Sequence, residues 1–120
     1  EGEFRKKLVY DEKDKKDFIS LVYGQWNYFA DTQQKTKATF SMDIPYRAIK
    51  ILSFKEDVIM DPFNGSGTTC LAAEMLGRKW IGLDISENYC KVAEERIKEY
   101  RTKQLQGELF KEAVEETSQK

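Results

Sequence analysis

The feature that most constrains this fold is a glycine-rich turn directly after a short apolar run. The run at 58–60 is brief and continuous, as in a buried strand of a parallel sheet, and it stops at Asp61 and Pro62. The turn reads DPFNGSGTT at positions 61–69. Because glycine lacks a Cβ atom, the backbone there can turn tightly and approach a ligand closely. The sequence therefore predicts a binding loop between a strand and the start of a helix.

The residues after the turn predict a helix and a second strand. Apolar side chains at 71–76 lie on one helical face, which Gly77 ends as a C-cap, and an apolar run follows at 80–83. Asp84 stands at the tip of that second strand, 19 residues after Gly65. An acid in this place accepts hydrogen bonds from both ribose hydroxyls of a nucleoside. The prediction is an α/β fold with a parallel βαβ unit, a right-handed crossover and a ligand crevice at the carboxyl ends of its strands.

Two further helices are predicted outside this unit. The first begins at Asp43, with Asp43 or Ser41 as its N-cap, and ends near Phe54. The second follows Ser86 as its N-cap and has a charged exposed face. The apolar positions of this second helix are Tyr89, Val92, Ala93, Ile97 and Tyr100.

A chain of 120 residues suffices for about one hydrophobic core. Its composition divides it into three stretches. Residues 1–37 are a charged and aromatic N-terminal segment, residues 38–100 the α/β region, and residues 101–120 a helical tail. Within the first stretch, 18–30 is predicted to be a strand or loop packed on the core. The alternative for 18–30 is a surface that touches a base or a partner chain.

Charge and residue counts exclude several classes of function. With 20 Lys and Arg against 21 Asp and Glu, the chain has no general attraction for nucleic acid, although a local basic patch remains open. There is no histidine, so His-based catalysis and His-containing zinc sites are excluded, and no metal site is predicted. No apolar run is long enough to span a membrane. We expect a cytoplasmic protein in which Cys70 and Cys90 form no disulfide.

Two common nucleotide-binding loops fit the turn poorly. A dinucleotide fingerprint needs Gly or Ala three positions after Gly67, where Cys70 stands, and it leaves Asp61 unexplained. A P-loop needs a Lys after its last glycine, and the turn has none. An ordinary tight turn does not account for the strand, the helix and the acid together.

The same residues resemble the S-adenosylmethionine-binding half of the DNA amino-methyltransferases, which modify adenine N6 or cytosine N4. The resemblance rests on DPFNGSGTT at 61–69, LGR at 76–78, IGLDI at 81–85 and Tyr89. It implies a partial Rossmann-like fold of the S-adenosylmethionine-dependent methyltransferases. The helix after Phe40 resembles the segment that precedes the Asp-Pro-Phe motif in permuted, β-type members and helps to hold the methionine end of the cofactor.

The resemblance implies a role for each matching position. Asp61 and the backbone of the turn face the methionine ammonium and carboxylate, Asp84 binds the ribose, and Ile85 flanks the adenine. An acid suits an ammonium, helix N-terminal amides suit a carboxylate, and a turn without Lys or Arg suits this cofactor better than phosphates. The expected cofactor-binding residues are Phe40, Ser41, Asp61, Pro62, Phe63, Asn64, Gly65, Ser66, Gly67, Thr68, Thr69, Asp84 and Ile85.

The catalytic motif of that family is absent from the sequence. In the family an Asp/Asn/Ser-Pro-Pro-aromatic tetrapeptide holds the flipped-out base, which is otherwise unreachable inside the stack. The nearest string here, DIPY at 43–46, has one proline and is interpreted as the start of a helix. No catalytic residue is predicted.

We therefore expect the C-terminal portion of a permuted methyltransferase, as a separate subunit or a fragment, since the chain begins with Glu rather than Met. Its partners would be the catalytic and target-recognition half, DNA through the complete enzyme, and a second copy of the chain through open sheet faces. A methyltransferase part acting on RNA or a small molecule, and a non-catalytic module, remain as alternatives.

Overall fold

The computed structural model describes residues 20–22 and 41–118, and the statements below concern these residues. Helices and strands alternate along them, so the predicted α/β class and partial Rossmann-like unit are confirmed. The elements are α1 (Asp43–Leu52), β1 (Val58–Asp61), α2 (Thr68–Met75), β2 (Lys79–Gly82) and α3 (Glu87–Ser118). Residues 20–22 are helical, so the strand or loop predicted there is wrong, and the rest of 18–30 lies outside the described residues.

The two strands pair in parallel, from Val58 opposite Lys79 to Asp61 opposite Gly82. Helix α2 connects them and packs on one face of the pair, and α1 and α3 pack against α2. Both strands end at the same edge. The turn that follows β1 and the acid that follows β2 are therefore brought to one place.

A small core lies between α1, α2 and the covered face of the strands. Ile49, Ala72 and Ala73 are buried there, and Ile59 and Trp80, which are opposite each other in the strand register, pack against them. Alanines allow α2 to lie close to the strands. Of the apolar face predicted at 71–76, Ala72 and Leu76 contact the core, whereas Met75 is 42% exposed.

The other face of the strands is uncovered in the part of the chain that the structure describes. Val58 is 57% exposed, Met60 58% and Ile81 48%. The prediction that the run at 58–60 is a buried strand is therefore wrong for Val58 and Met60, because α2, against which α1 and α3 pack, covers one face of the strands only. Parallel strands are normally covered on both faces, whereas these apolar side chains are covered by no described residue.

The helix ends follow local chemistry. Gly77, with φ +71°, comes directly after the C-cap Leu76, and the N–H groups of Gly77 and Arg78 donate to the carbonyls of Glu74 and Ala73 at 3.1 and 2.9 Å. These two bonds form a Schellman motif, which confirms that Gly77 ends the helix. Ser86 caps α3 as predicted, because its Oγ accepts from the Tyr89 N–H at 3.4 Å.

The start of α1 differs slightly from the prediction. Met42 is the N-cap residue, and no side chain bonds the helix N–H groups from that position. The Ser41 hydroxyl accepts from the Asp43 N–H at 3.3 Å instead, and Asp43 pairs with Arg47 at 3.1 Å. The string at 43–46 is therefore the first turn of a helix, as interpreted from the sequence.

Helix α3 continues for 32 residues, through the boundary predicted at residue 100. Ala93 and Ile97 are buried against the rest of the fold, whereas every described residue from Arg101 onward is exposed. Leu105 and Leu109 are among these exposed residues. The tail is helical, and its separation as a unit of its own stays a prediction.

Glu74 ties α2 to both β2 and α3. The Arg101 guanidinium donates to its two oxygens at 2.7 and 2.9 Å, and the Trp80 indole donates at 2.8 Å. Chiefly because of the Arg101 hydrogen bonds, the pKa of Glu74 lies below its usual value of 4.5. A carboxyl whose pKa is lowered by folding stabilises the fold above its unfolded pKa, and this contribution is lost as the pH falls through the folded pKa.

We therefore expect Glu74→Gln to lower the melting temperature at pH 7, by the equivalent of about 1 kcal/mol because Arg101 is largely solvent-exposed. The gap between variant and wild type should narrow as the pH falls below 4.5. Thermal denaturation followed by circular dichroism over a pH series measures both effects. A gap that stays constant with pH would contradict this account.

Candidate cofactor site

Asp84 links the glycine-rich turn to the end of β2. Its Oδ2 accepts from the Gly65 N–H at 2.9 Å, and its Oδ1 accepts from the Ser86 N–H at 2.8 Å. The Asn64 N–H donates to the Leu83 carbonyl at 2.9 Å, which adds a second connection between the same two segments. Because a carboxylate offers about four acceptor positions, Asp84 can still accept further hydrogen bonds from a ligand.

Asp61 closes the end of β1 and leaves one oxygen available. Its Oδ1 accepts from the Phe63 N–H at 3.0 Å, which forms an Asx turn at the start of the loop. Its Oδ2 accepts no hydrogen bond from residues 20–22 or 41–118. A carboxylate oxygen at the carboxyl end of a strand, with no such partner, is suited to a ligand cation.

Helix α2 begins at this same loop. Its N-cap is Gly67, with φ +84°, and no side chain caps its first turn. Gly65, two residues earlier, also has a positive φ, of +53°. The positive end of a helix with uncapped N–H groups favours a negatively charged group. The site thus brings a carboxylate oxygen, a second acid and helix N–H groups to the shared carboxyl edge of the two strands.

A protein-family model described as DNA methylase, of the N6/N4 class, matches residues 3–95. The chain belongs to the N6/N4 DNA methylase family. The resemblance to the DNA amino-methyltransferases that the turn and the acid indicated is thereby confirmed as family membership.

This chain aligns with only a small part of the length of its known relatives. The chain is 43% identical over 84 residues to the type II methyltransferase M.HinfI of Haemophilus influenzae, which covers 69% of the chain and 23% of that protein. It is 43% identical over 67 residues to M.BamHI of Bacillus amyloliquefaciens, covering 55% of the chain and 15% of that protein. The chain therefore spans less than a quarter of these relatives.

A solved structure shares the fold. A candidate DNA modification methylase of Thermus thermophilus, complexed with S-adenosyl-L-methionine, is 30% identical, with a TM-score of 0.59. The match covers 78% of this chain and 35% of the Thermus protein. This likeness supports the methyltransferase version of the Rossmann-like fold.

The structure separates the expected binding residues of this N6/N4 methylase chain into two groups. Phe63 and Ile85 are exposed apolar side chains beside the turn and Asp84. Ser66 and Thr68 are instead 6% and 7% exposed and face the protein interior. Phe40 lies outside the described residues. The cofactor roles of all these positions, Pro62, Thr69 and Ser41 included, stay predictions.

Arg96, which was not predicted from the sequence, touches the turn from behind. Its Nη1 donates to the Ser66 carbonyl at 2.8 Å, to the Ser66 hydroxyl at 3.1 Å and to the Thr68 hydroxyl at 3.2 Å. The available signal was its spacing, because Arg96 follows Ala93 by three residues and precedes Tyr100 by four. It is a cation among the apolar positions between Tyr89 and Tyr100.

Close packing beneath the turn explains two glycines. A Cβ atom on Gly67 would lie 2.9 Å from the Ala93 Cα, and one on Gly82 would lie 2.8 Å from the Cys70 Sγ and against the Asn64 side chain. The Asn64 Oδ1 is buried and has no hydrogen-bond partner in the described part of the chain. The α3 backbone at Gly67, and the Asn64 and Cys70 side chains at Gly82, therefore leave no room for a Cβ atom.

The two cysteines are free thiols. Burial, together with the nearby Asp61 carboxylate, raises the pKa of Cys70 to about 11, so this thiol packs rather than reacts. Cys90 donates a weak hydrogen bond to the Asp84 carbonyl, at 3.8 Å. Among the described residues, no group of three or more metal-ligating side chains comes together, and no helix has the length and hydropathy to span a membrane.

Proposed function

We propose that this chain is the S-adenosylmethionine-binding portion of a site-specific DNA methyltransferase that modifies an exocyclic amine, adenine N6 or cytosine N4. The observation that carries the proposal is the junction of Asp84 and Gly65 at the shared end of β1 and β2. This junction brings two acids and a helix N-terminus to one edge of the strands, and the family of the chain indicates the chemistry that such a site serves.

The residues present fit the charges of that cofactor. The unpartnered Oδ2 of Asp61 suits the methionine ammonium, and the first N–H groups of α2 suit its carboxylate. The remaining acceptor positions of Asp84 suit the two ribose hydroxyls. The exposed Ile85 and Phe63 offer apolar surface for the adenine. No Lys or Arg stands in the turn to attract phosphates.

When bound, the cofactor supplies an activated methyl group on its sulfonium, and this chain orients it. Transfer to an amine then depends on positioning the two reacting atoms in line. The sequence contains no Asp/Asn/Ser-Pro-Pro-aromatic tetrapeptide. We therefore assign the holding of the flipped base and the recognition of the target to a partner segment of the complete, cytoplasmic enzyme.

The uncovered face of the strands supports the need for a partner. Val58, Met60 and Ile81 form an apolar surface on that face. The catalytic half of a permuted enzyme would cover it, and a second copy of the chain is the competing occupant. The chain itself would then be a C-terminal region or a small subunit.

Methyl transfer tests the proposal. We expect the isolated chain to bind S-adenosylmethionine weakly and to transfer no radiolabelled methyl group to DNA. A chimera of M.HinfI, in which the 84 aligned residues are replaced by those of this chain, should methylate DNA, and the same chimera with Asp84→Ala should not.

Several outcomes would contradict it. Methylation of DNA by the isolated chain would remove the need for a partner. A folded chimera that fails to bind the cofactor would favour a non-catalytic module. Transfer to RNA or to a small molecule, with none to DNA, would favour a methyltransferase of another substrate class.

A further inference from the structure

The glycine-rich turn is held from behind by one side chain of α3. The Arg96 Nη1 atom is shared among three acceptors, which are the Ser66 carbonyl, the Ser66 hydroxyl and the Thr68 hydroxyl. Ser66 and Thr68 are the buried polar residues in the described part of the chain, at 6% and 7% exposure. Buried acceptors of this kind need a donor, and Arg96 supplies it.

These hydrogen bonds hold the part of the turn in which the backbone has positive φ angles. Ser66 stands between Gly65 and Gly67, both of positive φ. The peptide that joins Ser66 to Gly67 is planar, so its carbonyl and its N–H point in opposite directions. Arg96 binds that carbonyl, and the Asn64 carbonyl accepts the Gly67 N–H at 2.9 Å. The peptide is therefore fixed on both sides.

The guanidinium also contributes charge. Arg96 is half-buried, and its guanidinium bonds Thr68, the first residue of α2. Its charge adds to the positive end of that helix, where the turn itself has no basic residue. A ligand carboxylate in front of the turn would be stabilised by a cation behind it.

We propose that Arg96 is a positioning residue that fixes the turn at 64–68 in the conformation that receives the cofactor's carboxylate. This inference rests on the proposed function. Arg96 acts through the loop, from the side that α3 and Ala93 occupy, and does not itself touch the ligand. Its effect on affinity must therefore be compared with that of a second arginine that joins the same two helices without touching the turn.

Arg101 offers a matched control. It lies on the same helix, and it also joins α3 to α2, through two hydrogen bonds to Glu74. It makes no hydrogen bond to the turn, and its side chain is 58% exposed. Replacing either arginine by glutamine removes one positive charge and one helix-to-helix connection, but only Arg96→Gln frees the turn.

The experiment compares wild type, Arg96→Gln, Arg96→Lys and Arg101→Gln by calorimetric titration with S-adenosylmethionine, alongside their melting temperatures. We expect Arg96→Gln to weaken binding on the order of tenfold or more. Arg96→Lys should recover part of the affinity, because it keeps the charge but not the planar fork. Arg101→Gln should lower the melting temperature and leave the affinity within about twofold of wild type.

Hydrogen exchange of the unliganded protein supplies a second measurement, which separates failure of this inference from failure of the proposed function. The Gly67 and Thr68 amides should exchange faster in Arg96→Gln and Arg96→Lys than in Arg101→Gln. If neither wild type nor any variant binds the cofactor but this exchange pattern holds, the proposed function fails, and only the effect of Arg96 on the conformation of the turn stands. Equal affinity in wild type and Arg96→Gln, or equal exchange in the two glutamine variants, would overturn the inference.

Discussion

Replacing Asp84 with alanine is expected to weaken the binding of S-adenosylmethionine at least about tenfold. The substitution removes the acceptor for the ribose hydroxyls. It also removes the acceptor of the Gly65 and Ser86 N–H groups, which lie 2.9 and 2.8 Å from the carboxylate. The turn then keeps only the Asn64–Leu83 backbone hydrogen bond to the end of β2, so both ligand contacts and preorganisation decline. Calorimetric titration of the two proteins with the cofactor, or with its demethylated product, measures the loss.

Two further variants separate these contributions. Asp84→Asn keeps one carbonyl oxygen and the size of the side chain, so we expect its affinity to lie between those of wild type and Asp84→Ala. Glu87→Gln makes the same change of charge three residues later, where the side chain is exposed and pairs with Lys91 at 3.0 Å. It should leave the affinity unchanged. If Asp84→Ala bound the cofactor as tightly as wild type, Asp84 would have no part in the site.

The elements that could be predicted are those whose information is local. The strand at 58–60, the helix ended by Gly77 and the helix capped by Ser86 each follow from turn chemistry and periodicity within a few residues. The meeting of Asp84 with Gly65 was also predictable, because parallel strands joined by a helix must end at the same edge. The hydrogen bond by which Asp84 accepts from the Gly65 N–H could not be predicted.

What the sequence did not show depends on contacts between distant segments. Periodicity places Arg96 on the apolar face of α3 but cannot name Ser66 and Thr68 as its partners, 30 and 28 residues away. The run at 58–60 looks buried on both faces, because a sequence pattern does not say how much of the covering layer belongs to the same segment. Ser66 and Thr68 were expected to contact the ligand because they belong to the predicted binding loop. Their side chains instead turn towards the protein interior.

Gly67→Ala is expected to destabilise the fold by about 2–4 kcal/mol, a fall of on the order of 10–20 °C in melting temperature. Two costs add. An alanine is strained at φ +84°, and its Cβ would lie 2.9 Å from the Ala93 Cα, so α3 must move away from the turn. That movement carries Arg96 with it, so cofactor affinity should fall as well. Thermal denaturation and the same calorimetric titration measure the two effects.

Gly65→Ala is the matched control, because Gly65 also has a positive φ, of +53°, while a Cβ there would meet nothing within 4 Å. It has the backbone cost alone, about 1 kcal/mol. The excess loss in Gly67→Ala therefore measures how closely α3 approaches the turn. Adding Ala93→Gly to Gly67→Ala should make the double variant more stable than the sum of the two single losses predicts, since one clashing atom is removed. Equal losses of stability in the two glycine variants would mean that the α3 backbone does not pack closely against the turn. The positioning role of Arg96 would then lose its structural basis.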